Sequence, residues 1–227
     1  MQFLEHSIIG LRAARHVLTR PTPKQQVTLF PVIHLGDPKF YETVHAAAAA
    51  HDAVLVEGVA SKTARHLTRA YRWAAPERLG LVVQPKFTSD RTRVIHADLP
   101  GPEFDALWRG APWAERAFLE VGAALMGLWL RGTATRHSLG RGLCTNDLKD
   151  RDDLLVWSPR RASILAALQD ARDAALCSKI TELLRENPAP ASIAVIYGAA
   201  HMRAVTRALD RDGFVVSDSE WITIFET

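Results

Sequence analysis

The feature of this sequence that most constrains its fold is a short apolar run followed at once by a tight turn and a helix. Residues 192–197 (SIAVIY) have the continuous apolar character of a strand buried on both faces. The turn at 198–201 (GAAH) leads into a helix over 202–210, which Gly213 closes. Residues 26–33 (QVTLFPVI) begin a second unit of the same order. Repeated strand–turn–helix units predict an α/β protein.

The second unit continues into a third strand. Asp37 and Pro38 are typical of a helix start, with Asp as the N-cap and Pro at the first helical position. After this helix, residues 53–56 (AVLV) predict a buried strand that ends at Glu57. We therefore expect the strands at 26–33 and 53–56 to form a parallel pair with a right-handed crossover. Pro31 indicates that the first of them is an edge strand or has an irregular end.

The remaining patterns predict one domain over 1–227, built on a central mixed, largely parallel β-sheet flanked by helices. We place its core at about 27–216 and a helical insertion at about 103–187. Residues 133–146 are rich in Gly, Thr and Arg, which is typical of a mobile lid or a disordered excursion. The other predicted elements are helices over 60–75, 103–130 with breaks at Gly110 and Pro112, and 159–185, and strands over 81–83, 93–97, 214–216 and 221–225.

The most apolar stretch covers residues 117–130 and contains one charged residue, Glu120. Its length falls short of the roughly 20 residues that cross a bilayer. We expect a buried helix; the alternative is a membrane-associated hairpin anchored by Arg116 and Arg131. The N-terminus lacks the features of a secretory signal, so we expect neither export nor membrane association.

The charge and cysteine content narrow the partners and the compartment. The net charge is +3, and the basic residues are interspersed with acids, so a nucleic-acid partner is not expected. Cys144 and Cys177 lack Cys or His neighbours at metal-ligand spacing, which argues against a disulfide scaffold or a zinc finger. These features favour a cytoplasmic protein.

Three residues at predicted strand ends have the chemistry of a metal site. His34 and His201 each follow a strand at the edge where open α/β sheets bind ligands. His201 would lie in the first turn of a helix, whose dipole favours a neutral imidazole. Glu57 ends an apolar strand, where a carboxylate needs a positive neighbour. Two imidazoles and a carboxylate leave a coordination position for water. Alternatively, each histidine is satisfied by backbone hydrogen bonds.

The order and spacing of these motifs resemble the TraB/Tiki family, within the superfamily of erythromycin-esterase-like and ChaN-like proteins. The matching segments are 31–34 (PVIH), 56–58 (VEG), 171–173 (ARD) and 198–201 (GAAH), and the similarity covers about 27–216. One departure is Pro31, where the family has a glycine. A proline there changes the backbone before the histidine.

The resemblance implies a divalent-metal peptidase or related hydrolase that uses manganese, cobalt or zinc on a peptide or small-molecule substrate. It implies a metal site of His34, Glu57 and His201, with Glu57 as an alternative general base. Arg172 would stabilise an oxyanion, and Asp173 or Asp98 would orient a ligand. Gln84 and Gly198 belong to the same candidate site, as residues near the ligands or the substrate.

Three alternatives remain at this stage. Some relatives of this superfamily are described as activating water with His and Glu, without an essential metal. A binding protein could use the same residues to hold a small molecule, a peptide or haem without turnover. A regulatory protein could instead use the helix at 117–130 as an exposed apolar surface, for example in a homodimer.

Overall fold

The computed structural model describes residues 1–141, 143–147 and 163–227. Its strands are β1 (Gln2–His6), β2 (Gly10–Arg20), β3 (Gln25–Val32), β4 (Leu35–Gly36), β5 (Ala53–Val56), β6 (Val82–Val83), β7 (Arg93–His96), β8 (Thr145–Asn146), β9 (Ser192–Gly198) and β10 (Val215–Glu226). Its α-helices are α1 (Pro38–Ala48), α2 (Lys62–Thr68), α3 (Ala70–Trp73), α4 (Gly101–Gly110), α5 (Trp113–Thr133), α6 (Arg136–Gly140), α7 (Ser163–Leu184) and α8 (Met202–Arg211). Short 3-10 helical turns cover Pro76–Leu79 and Ala199–His201.

A mixed sheet organises the molecule. Its order is β7-β5-β9-β3-β2-β1-β8, and β10 pairs with β2. The four strands from β7 to β3 are parallel, whereas β1, β2, β8 and β10 pair antiparallel. β4 and β6 form a separate two-stranded sheet. The predicted α/β class, with a mixed sheet that is parallel in its core, is confirmed.

The strand neighbours differ from the prediction in three ways. β3 and β5 are parallel but are not a direct pair, because β9 lies between them. The edge-strand alternative for the segment with Pro31 is wrong, since β3 lies between β9 and β2; its pairing with β2 runs from Gln25 only to Leu29, so Pro31 lies beyond it. The two predicted final strands are one strand, β10, with bulges that interrupt its register against β2.

Helices cover both faces of the parallel strands. On one face, Leu176 and Ile180 of α7 and Val205 of α8 pack against inward residues of β3, β5 and β9. On the other face, Phe40 and Val44 of α1 pack against the alternate residues of the same strands. Burial on both sides explains why β5 and β9 are continuous apolar runs, as the sequence indicated.

The predicted burial of the helix at 117–130 is wrong. This segment belongs to α5, in which Gly127 is the buried residue, and most of its large apolar side chains are exposed. A high apolar content indicates that a helix is covered by something other than water. It does not specify whether the cover is the chain's own core or another molecule. Among the described residues, no helix is long and apolar enough to cross a membrane.

The described part of the segment at 133–146 contains regular structure, so it is not a disordered excursion throughout; whether it acts as a lid stays a prediction. It includes α6, which begins with a reciprocal capping box between Thr135 and Ser138. Arg136 of α6 binds the Asp37 carboxylate at 3.0 Å. Asp37 does occupy the N-cap position of α1, but its side chain makes no cap hydrogen bond. The predicted helix at 159–185 corresponds to α7, and residues 159–162 lie outside the described part of the chain.

Candidate functional site

Four parallel strands deliver polar side chains to the same edge of the sheet. His34 follows β3, Glu57 follows β5 and Asp98 follows β7. His201 follows β9 after the turn that starts at Gly198. Because the carboxyl ends of parallel strands lie on one side, residues that are far apart in the sequence meet there. The structure thus places the candidate residues of the sequence in one region.

Glu57 is held by a donor on each of its carboxylate oxygens. The backbone N–H of Gly198 donates to Oε2 at 2.7 Å, and Arg172 Nη2 donates to Oε1 at 2.5 Å. The Glu57 side chain is 11% exposed. These two donors satisfy a carboxylate that has little access to water and fix its position. Glu57 is therefore a fixed negative charge at the strand edge.

Arg172 joins Glu57 to a second, more deeply buried carboxylate. Its Nε and Nη2 atoms donate to the two oxygens of Asp98 at 2.9 and 2.8 Å, and Asp98 is 1% exposed. Backbone N–H groups of Gly58 and Leu99 also donate to Asp98. Burial is the largest influence on the pKa of Asp98 and would raise it, but the bonds and charge of Arg172, together with the backbone bonds from Leu99 and Gly58, more than offset this and lower the pKa. Asp98 consequently remains ionised.

His201 forms a close pair with Asp173. The distance between His201 Nδ1 and Asp173 Oδ1 is 2.5 Å, and the His201 side chain is 8% exposed. A carboxylate at neutral pH only accepts hydrogen bonds, so Nδ1 carries the proton and donates it to Asp173. In the neutral form of the ring, Nε2 then keeps its lone pair. The pair has the arrangement in which a carboxylate orients a basic or metal-binding imidazole.

His34 lies between an aromatic ring and the charged residues. Its imidazole centroid is 4.6 Å from that of Tyr71 in α3. Burial is the main factor that lowers the pKa of His34; the charge of Glu57 opposes this, while Arg172 and His201 add to it. The Gln84 side chain is also close enough to influence this pKa, and the Gln84 backbone N–H donates to His34 O at 2.9 Å. His34 is therefore a neutral imidazole at pH 7.

Gly198 allows Glu57 and His201 to approach the same point. A Cβ atom added at Gly198 would lie 3.1 Å from Glu57 Oε2 and 3.4 Å from His201 Cδ2. The first distance is closer than side chains normally tolerate without moving. The absence of a side chain at this position thus lets the β9 backbone approach Glu57 closely enough to donate its N–H.

Two tyrosines complete the site and were not predicted. Tyr71 covers His34, and its pKa is raised first by burial and then by the charge of Glu57. Tyr197 is fully buried, and its ring lies edge-on to His201 at 5.0 Å. Tyr71 lies in a segment whose pattern indicates only an amphipathic helix, so its sequence gives no signal of this role. Tyr197 directly precedes the glycine turn, which is a signal that could have identified it.

A cleft opens beside the charged residues. It has a volume of about 750 Å³ and lies between α4 and α7. Leu99, which follows Asp98, and Ala171, which precedes Arg172, both line it. Most of its other lining side chains are small or apolar, with Glu103 as the charged exception. The cleft thus shares two chain neighbours with the charged residues, although His34, Glu57, Arg172 and His201 do not line it.

The donor set fits a three-ligand metal site only in part. His201 Nε2 and the neutral imidazole of His34 have the chemistry of metal ligands. Each oxygen of Glu57 already accepts one hydrogen bond, from Arg172 or from the Gly198 N–H, so these donors compete with a metal ion for the carboxylate. Among the residues that the structure describes, no three His, Cys, Asp or Glu side chains are arranged to hold a metal ion. Cys144 and Cys177 are both free thiols.

Comparisons with known protein families, curated proteins and solved structures gave no significant match. The resemblance to the TraB/Tiki family therefore depends on the four short motifs and their order.

Proposed function

We propose that this chain is a hydrolase of ester or amide bonds that activates a water molecule at the centre formed by His34, Glu57 and His201. The observation that carries the proposal is the contact between His201 Nδ1 and Asp173 at 2.5 Å. It leaves Nε2 as a base at the strand edge, beside an ionised glutamate and an arginine. The cleft between α4 and α7, lined by the chain neighbours of Asp98 and Arg172, offers space for an apolar part of the substrate.

In the proposed reaction, His201 Nε2 takes a proton from water as the water oxygen attacks the substrate carbonyl carbon. Asp173 stabilises the resulting imidazolium through Nδ1. When the tetrahedral intermediate collapses, the bond to the leaving group breaks and His201 returns the proton to that group. The negative charge of Glu57 favours the protonated form of a neighbouring imidazole. Arg172 holds Glu57 in place and supplies positive charge near the developing oxyanion.

A divalent-metal hydrolase is the second candidate. The same His201–Asp173 contact favours it, because metal-binding imidazoles commonly donate their other N–H to a carboxylate. Manganese, cobalt or zinc would contact His34 and His201, with Glu57 as the third ligand if its bond to Arg172 opened. When bound, the ion would polarise the substrate carbonyl and lower the pKa of a bound water. The TraB/Tiki resemblance supports this candidate as well.

Turnover of a panel of chromogenic esters and peptides tests the proposal. The purified chain is assayed after treatment with a chelator and again after addition of manganese, cobalt or zinc. We expect hydrolysis of at least one substrate, reduced about 100-fold or more in His201→Ala because the general base is lost. His66→Ala is the matched control, since His66 is an exposed histidine on α2.

The outcomes separate the candidates. Turnover after chelation supports the metal-free hydrolase, and turnover that returns only with an added ion supports the metal-dependent one. No turnover under either condition, or equal turnover in His201→Ala and wild type, would overturn the proposal. A saturable change in the hemin spectrum that His201→Ala abolishes, in the absence of turnover, would identify a binding protein instead.

A further inference from the structure

The solvent-facing side of α5 is a continuous apolar surface. Its exposed apolar side chains have exposed fractions between 54% and 76%: Trp113, Phe118, Val121, Leu125, Met126, Leu128 and Trp129. The opposite side of the helix packs on α3 and includes the buried Gly127. A helix that is apolar on its outer side as well as its inner side is normally covered on both. The outer side of α5 therefore has the character of an interface.

The spacing of these residues is that of a helix-pairing seam. Phe118, Val121, Leu125 and Leu128 follow one another at intervals of three, four and three residues, which places them on one stripe. Within α5, which the structure describes throughout, the charged residues lie off this stripe: Glu115, Arg116, Glu120 and Arg131. Apolar residues at alternating intervals of three and four pack well against another helix with the same spacing.

The stripe is complementary to itself in an antiparallel arrangement. If two copies of α5 pair about a two-fold axis near residue 123, Val121 of each copy faces Leu125 of the other. Phe118 then faces Leu128 in the same way. A two-fold pair uses the same surface on both partners, which is the commonest form of protein self-association. The sequence of α5 is thus suited to a second copy of itself.

The exposed apolar area matches what a stable dimer needs. From their exposed fractions, the seven side chains leave on the order of 1,000 Å² of apolar surface in contact with water, compared with about 800 Å² per partner in a typical stable interface. The helix has 21 residues, so the seam is roughly 30 Å long. Burial of this whole surface against a second copy would therefore reach the size of a typical stable interface.

A membrane surface fits α5 less well than a second copy does. Helices that lie on membranes usually combine an apolar side with a polar side rich in Lys and Arg. In α5 the two basic residues, Arg116 and Arg131, are balanced by the two acidic residues, Glu115 and Glu120. We infer that two copies of this chain form a homodimer through an antiparallel pairing of the α5 stripe.

Sedimentation velocity of the full chain tests this inference. We expect wild-type protein at micromolar concentrations to have about twice the chain mass of 25.1 kDa. Leu125→Glu should have the mass of a single chain, with the dissociation constant raised about 100-fold or more, because its charge would be buried against an apolar partner. Ile8→Glu is the matched control: Ile8 is 90% exposed and lies far from the stripe in sequence, so this variant should remain dimeric.

A double variant tests the antiparallel pairing. In Val121→Glu/Leu125→Lys, the introduced charges of opposite sign face each other across an antiparallel seam, so we expect dimers to return. Circular dichroism verifies that every variant is folded, which the 61% exposure of Leu125 leads us to expect.

Three results would overturn the inference. They are a wild-type protein with the mass of one chain, a Leu125→Glu variant that stays dimeric, and a double variant that stays monomeric. In the first case, binding of the wild-type chain to anionic phospholipid vesicles would assign the surface to a membrane instead.

Discussion

Replacing Arg172 with methionine tests how the charges of the site are balanced. The guanidinium is 19% exposed and bonds two carboxylates, Asp98 at 1% exposure and Glu57 at 11%. Methionine keeps much of the apolar stem but removes the charge and the donors. The variant thus leaves two poorly hydrated negative charges without their shared cation.

We expect Arg172→Met to lower the free energy of unfolding by about 3 kcal/mol, the lower end of the cost of breaking a buried ion pair. The lower end applies because Asp98 keeps two backbone donors and Glu57 keeps the N–H of Gly198. For a chain of this length, the same change lowers Tm by about 6–12 °C.

The loss of unfolding free energy in Arg172→Met should also depend on pH. In the wild type the pKa of Asp98 is lowered, so its contribution to stability is present above the ordinary value of 3.8 and disappears as the pH falls below it. Without Arg172, burial raises the pKa of Asp98, and protonation relieves the unpaired charge at acidic pH. The difference between variant and wild type should therefore narrow as the pH falls from 7 towards about 4.

Urea denaturation followed by circular dichroism measures both effects, with Arg93→Met as the control. Arg93 also pairs through two bonds with one carboxylate, Glu186, but its side chain is 57% exposed. Its replacement should cost much less, because solvent already screens the pair. Equal losses in the two variants, or a loss in Arg172→Met that does not change with pH, would refute the reasoning.

Three further predictions concern single side chains. Asp173→Asn should reduce kcat/KM about 100-fold without a comparable loss of stability, because the neutral amide supports the imidazolium poorly; steady-state kinetics and a thermal melt measure this. Gly198→Ala should reduce turnover roughly tenfold and stability by about 1 kcal/mol, since the new Cβ lies 3.1 Å from Glu57 Oε2. Burial lowers the pKa of His16, so the free energy of unfolding should fall as the pH drops below 6.5. In urea denaturation, this fall should be smaller for His16→Gln than for the wild type or for the control His66→Gln.

The sequence predicted the strands and the turns of the parallel core because their signals are local. The run at 192–197, its glycine turn and the helix after it all lie within about two dozen residues. The order of the strands is not local: nothing in the periodicity of β3 or β5 indicates that β9 lies between them. The exposure of α5 was also missed, since an apolar segment has the same composition whether it packs in the core or on a partner.

From the sequence, the site could be predicted only for residues that directly follow strands, because the ends of parallel strands share one edge of the sheet. This argument identified Glu57 and His201 as members of one site. It did so although Gly198, whose N–H holds Glu57, is 141 residues away in the chain. It did not identify how Arg172 divides its bonds between two carboxylates, because that depends on the placement of α7 over the sheet. Tyr71 was missed for a similar reason, since its position over His34 follows from tertiary packing.

The account depends on His34 and Glu57 acting within one centre, and NMR titration of the His34 imidazole tests this most directly. Burial lowers the pKa of His34 and the charge of Glu57 partly opposes this. We predict a pKa below 6.5 in the wild type, a still lower value in Glu57→Gln, and no change in Asp210→Asn, which removes an exposed carboxylate from α8. A His34 pKa near 6.5 that Glu57→Gln leaves unchanged would contradict the shared centre.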